Sequence, residues 1–135
     1  MYREYQSKKM KNYLLPEAVY RQALWAVKDL NRLRDELNKA IDSIDDLHGP
    51  SFFNEPIGAG IYSDTTAKKA DKLISLTHRI DSIESAMFYI PERYRDGMRN
   101  KLVNGGSFGD EFHPNTWKKW QQVYIYHVAK NLELI

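Results

Sequence analysis

The sequence predicts an all-α protein, a long antiparallel helical hairpin followed by two shorter helices. Three observations predict it. Apolar residues recur in steps of three and four over two long stretches, prolines and glycines collect between the periodic stretches, and no segment alternates as a half-buried strand does. The chain holds 135 residues, of which 42% are hydrophobic and 28% charged. That balance suits one domain, or one small domain with a helical appendage, and excludes bulk disorder.

The first helix opens at Pro16-Glu17, where proline suits a position whose N–H has no helical partner and glutamate favours the positive end of the dipole. Ala23, Val27, Leu30, Leu37, Ile41 and Ile44 carry the period, widened by Leu24, Leu33, Ala40 and Leu47. No proline or glycine intervenes before Gly49-Pro50, so a single helix is expected over residues 16–47, roughly 48 Å long. Residues 48–63, rich in proline and glycine, read as a loop whose Phe52, Phe53, Ile57 and Ile61 fold back onto the helices. The period restarts after a cap at Ser63 or Asp64, with Ala70, Leu73, Thr77, Ile80 and Met87 flanked by Ile74, Leu76, Ile83 and Phe88. Pro91 opens a third helix, "PERYRDGMRNKL", which Asn104-Gly105-Gly106 stops. Gly97 inside it costs about 1 kcal/mol relative to alanine. A short aromatic linker, "SFGDEF", leads to the last helix, "HPNTWKKWQQVYIYHVAKNL".

Chemistry of an enzyme is not evident. There is no cysteine, the four histidines have no ligand spacing, and no glycine-rich loop follows a strand. The reading is therefore a non-enzyme without metal or cofactor. No apolar run approaches the length of a membrane span, and "MYREYQSKKMKN" lacks the apolar stretch of a signal peptide, so a cytoplasmic location without membrane contact is expected. The formal net charge is only +2, but basic residues outnumber acidic ones at both ends of the chain, while residues 14–63 carry the acidic excess.

The last helix raises the main functional question. Trp117, Trp120 and Tyr124 fall on one side, whereas Asn115, Thr116, Lys118, Lys119 and Gln122 crowd the polar side of its first turns. A core helix needs the aromatic side alone. A helix that enters a DNA groove with its N-terminal turns foremost needs both, because lysine grips phosphate or guanine and asparagine or glutamine pairs with adenine. Arg95 and Arg99 share a face of the preceding helix and extend the basic set. Lys8, Lys9 and Lys11 form a basic N-terminal arm suited to backbone contact.

Four stretches, "YLLPEAVYRQALWAVKDLNRLRDEL", "SDTTAKKA", "IPERYRDGMRNKL" and "NTWKKWQQVYIYHVAKNLELI", stand in an order that resembles the RinA/ArpU-type phage transcriptional regulators. The resemblance runs from about residue 13 to residue 135. It implies a regulator, an activator, of late phage or prophage genes in a bacterial host, with a C-terminal helix-turn-helix-like unit akin to the promoter-reading domain of sigma factors. On that mapping Thr116, Lys118, Lys119 and Gln122 touch bases or phosphates, while Trp117, Trp120 and Tyr124 anchor the helix from behind. "SFGDEF" cannot supply the first helix of an orthodox helix-turn-helix, so the arginine-bearing helix has to fill that role across a longer connection.

The expected organisation is thus a flexible basic arm at 1–13, a helical hairpin at 14–88 for oligomerisation or partner contact, and a DNA-binding unit at 89–135. Double-stranded DNA, host RNA polymerase and a second copy in a homodimer are the expected partners. The rival readings are a small terminase-like packaging subunit and a coiled-coil interaction protein that binds no DNA.

Overall fold

The computed structural model describes residues 6–47 and 59–135, with side chains over 6–43 and 66–135. The loop residues Phe52, Phe53 and Ile57 lie outside the described residues, as do the side chains of Ile44, Leu47, Ile61, Ser63 and Asp64. Every regular element among the described residues is helical: α1 (Glu17–Lys28), α2 (Leu30–Leu47), α3 (Ala59–Ala86), α4 (Glu92–Leu102) and α5 (Pro114–Asn131), with single 3-10 turns at Lys11–Tyr13 and Met87–Tyr89.

The single helix expected over residues 16–47 is two. Asp29 stands between α1 and α2 with φ −89° and ψ 1°, well off the helical ψ of about −42°. Its N–H is shared between Trp25 and Ala26 carbonyls, at 3.0 and 3.2 Å, the tightened bonding of a helix end. Aspartate is a weak helix former, so a one-residue interruption is cheap there. Conversely α3 begins at Ala59, ahead of the expected Ser63–Asp64 cap, taking Gly60 into its first turn.

Two compact units emerge. One comprises residues 1–31 and 81–135, the other residues 32–80. Helix α1 and the last turn of α3 therefore group with the C-terminal helix, whereas the expected boundary fell after residue 88.

Within the first unit α5 is central. It packs against α1, α4 and both 3-10 turns. From Gln122 onward it is buried nearly all round: Gln122, Val123, Tyr124, Ile125, Val128 and Ala129 are all enclosed. Helix α1 meets it with Tyr20, Ala23, Leu24 and Val27, a stripe that follows the predicted spacing. Burying each such aliphatic side chain contributes about 1.5–3 kcal/mol. Ile83 and Met87 close another side, and Tyr124 donates its buried hydroxyl to the Ile83 carbonyl at 3.2 Å. Asn131 ties the end of α5 to the end of α3 by donating to the Ser82 carbonyl at 3.0 Å.

Helix α4 crosses α5 at Gly97. The Trp117 ring lies where a Cβ on residue 97 would stand, so the glycine that weakens α4 locally makes room for the tryptophan. Trp117 in turn organises the linker: Phe108 stacks on it at 4.7 Å and 8°, Phe112 meets its edge at 5.6 Å, and its Nε1–H donates to the Gly109 carbonyl at 3.2 Å. Gly105, at φ +74°, supplies the left-handed residue that turns the chain out of α4.

In the second unit, Leu33, Leu76 and Ile80 are buried. Leu37 and Leu73 are half-buried, while Ile41 and Ile74 are exposed. The apolar stripes thus continue into this unit but are only partly covered.

Candidate nucleic-acid interface

Helix α5 shows solvent its beginning and hides the rest. His113 caps it, its Nδ1 accepting from the Asn115 N–H at 3.1 Å, and Pro114 occupies the first helical position. Asn115, Lys118 and Lys119 are exposed and Thr116 is half-buried. The polar residues singled out from the sequence therefore stay accessible only over the first two turns, at the end of the helix where the dipole favours an anion.

Gln122 is a correction. Expected to read bases, it is 1% exposed. Its Oε1 accepts from the Ser7 N–H at 2.8 Å, and its Nε2 donates to the Ser7 carbonyl at 3.2 Å and the Tyr13 carbonyl at 3.3 Å. The carboxamide thus serves the backbone of the N-terminal segment as a neighbouring strand would. Gln6 adds a second clasp, exchanging two 3.0 Å bonds with the backbone of Leu15. Tyr13 packs edge-on against Tyr126 at 5.3 Å. Residues 6–13 of the expected flexible arm are therefore seated on α5.

Seating that segment builds a groove. Residues 6–10 line one side and Asn115, Lys118, Lys119 and Gln122 the other, around a concavity of about 600 Å³. Lys8, Lys9, Lys118 and Lys119 all border it, and no carboxylate of the described residues does. Lys119 rests its amine 4.9 Å from the Trp120 ring centroid.

Arg95 and Arg99 do not join this groove. Arg95 turns its Nε to the carbonyls of Met87 and Ile90, at 3.0 and 3.2 Å, and places its guanidinium over Phe88. It thereby closes the 3-10 turn before α4. Arg99 faces Glu84 at 3.9 Å and Asp96 at 3.7 Å, so its charge is already matched at the surface. Of the expected anchors, Trp117 and Tyr124 are buried, and Trp120 is half-buried, stacked with Tyr94 at 5.7 Å. No helix lies between Val103 and His113, so α4 is the helix that precedes α5.

The chain matches no protein-family model, no curated protein and no solved structure.

Among the described residues there is no cluster of three potential metal ligands, and no helix long and apolar enough to cross a membrane. What the sequence did not disclose is the role of Gln6, Ser7 and Gln122. The doubled lysines at 8–9 and 118–119 signal charge, but nothing local says that they share a surface.

Proposed function

We propose that this protein is a sequence-specific DNA-binding regulator, an activator of late phage or prophage genes of the RinA/ArpU type. One observation carries the reading: four lysines from distant parts of the chain border one groove, with no carboxylate among its described lining residues, at the exposed N-terminal turns of a helix. Phosphates enter between the arm and α5, neutralised by Lys8, Lys9, Lys118 and Lys119. Asn115 and Thr116, with Lys118 and Lys119, face bases in the major groove, where asparagine matches adenine and lysine matches guanine. Trp117, Trp120 and Tyr124 fix the helix behind them. The regulatory role, action in the cytoplasm of a bacterial host and contact with RNA polymerase rest on the resemblance. Exposed Ile41 and Ile74 in the second unit support a homodimer contact.

The test is recovery of fragmented phage or prophage DNA on the purified protein at near-physiological salt, followed by sequencing. The expected outcome is enrichment of one or a few intergenic fragments, lost in a variant with Lys8, Lys9, Lys118 and Lys119 changed to alanine. Even recovery across the genome, with assembly into a ring, favours the packaging subunit instead. No recovery at all leaves an interaction protein.

A further inference from the structure

A second cationic hollow opens on the other flank of α5. Lys28, Lys101, Gln121 and the backbone of Gly105 and Gly106 line a concavity of about 340 Å³. Its two amines come from different helices, Lys28 from the last residue of α1 and Lys101 from the last turn of α4. Each offsets the negative end of its own helix dipole, which accounts for a lysine at either place but not for both at one hollow. Neither amine has a carboxylate partner among the described residues. Lys28 instead lies 4.8 Å from the centroid of the Trp25 ring and Lys101 5.9 Å from that of Phe108. Aromatic faces steer an ammonium without neutralising it.

The position of this hollow is as telling as its charge. Gln121 lines it and Gln122 lines the first groove, so adjacent residues of α5 reach opposite hollows. Lys118, three residues before one and four before the other, stands between them on the helix surface. Gln121 is held in place, its Nε2 donating to the Tyr20 hydroxyl at 3.1 Å. Gly105 leaves its part of the rim without a side chain, and a Cβ there would meet nothing within 4 Å, whereas the Asn100 carboxamide stands against Gly106. Close approach of a backbone needs such a bare rim.

We propose that the Lys28–Lys101 hollow receives a further backbone phosphate of the same duplex, so that the DNA straddles the first turns of α5 and is held on both flanks. The proposal rests on the DNA-binding reading above. It predicts a salt dependence steeper than the four lysines of the first groove alone provide, since each phosphate neutralised adds about 0.9 to the slope of log affinity against log salt.

The experiment measures fluorescence anisotropy of a labelled duplex across a range of salt, for the full chain and two variants. With Lys28→Gln and Lys101→Gln combined, the slope becomes shallower by about 0.9, the share of one phosphate. With glutamine at positions 8, 9, 118 and 119, it flattens further. An unchanged slope in the first variant, with a flattened one in the second, overturns the second contact and leaves the groove standing. A wild-type protein that shows no salt-dependent binding overturns both. The wild-type side-chain resonances of Lys28 and Lys101 supply a readout free of any substitution, and the duplex is expected to shift them. Their response to inorganic phosphate alone, with none to the duplex, makes the hollow a site for a free anion and sinks the proposal.

Discussion

Gln122 spends both ends of its carboxamide on the backbone of residues 7 and 13. Alanine there strands a buried N–H and two carbonyls, which costs about 1–3 kcal/mol. Gln122→Ala is therefore expected to lower the melting temperature and, on the proposed reading, by loosening Lys8 and Lys9, to weaken DNA binding for every sequence alike. A variant with unchanged stability and altered sequence preference would restore the role that its polar character first suggests. His127 governs the same seam. Its ring stacks on Tyr89 at 3.6 Å and meets Tyr13 and Tyr126 at angles. Burial, and then Lys130, holds its pKa below the usual 6.5. The folded state thus favours the neutral ring. That contribution to stability is whole above about pH 6.5, where the unfolded ring is also neutral, and is lost as pH falls through the lowered value. Melting curves at pH 8 and pH 5.5 are expected to separate, and His127→Phe to bring them closer together.

At the scale of elements, the α4–α5 crossing turns on one missing methyl. Gly97→Ala improves helix propensity by about 1 kcal/mol yet drives a carbon into the Trp117 ring. Overpacking of a rigid ring costs about 1–3 kcal/mol, so urea denaturation is expected to show a net loss or at best no gain. A stabilised variant would mean that the ring swings clear. Trp117→Ala is expected to cost about 3–5 kcal/mol, and Trp120→Ala measurably less, because Trp117 is 4% exposed and Trp120 only half-buried. Periodicity made most of these helices legible, since Ala23, Leu24, Val27, Ile80 and Ile83 fall where a 3.6-residue repeat puts them. It could not show the break at Asp29, where one backbone angle departs without a proline or glycine to mark it. Nor could it rank the two tryptophans, because their relative depth depends on a glycine in another helix.

For the whole molecule, what stayed hidden was pairing. The contact of Ser7 with Gln122 joins residues 115 apart in sequence, and no local pattern encodes a partner at that distance. The lysines of the groove, expected to contact DNA, are exposed at the surface. Charge pattern did not show that the Nε of Arg95 is taken up by carbonyls of its own neighbourhood. The second unit leaves Ile74 66% exposed on a helix that otherwise buries Leu76 and Ile80. If that side chain serves a homodimer, Ile74→Lys is expected to shift sedimentation from dimer to monomer without lowering the melting temperature of the first unit. Monomeric wild-type protein would remove the homodimer from the proposal.

The seating of residues 6–13 by Gln122 also has a consequence in time. On the ribosome, the lysines at 8 and 9 precede the glutamine that positions them by on the order of ten seconds of synthesis. A nascent chain carries the basic tail but not yet the groove. On the proposed reading, DNA recognition is thereby deferred until Gln122 has been translated, and a ribosome that stalls before it releases no half-competent competitor for DNA.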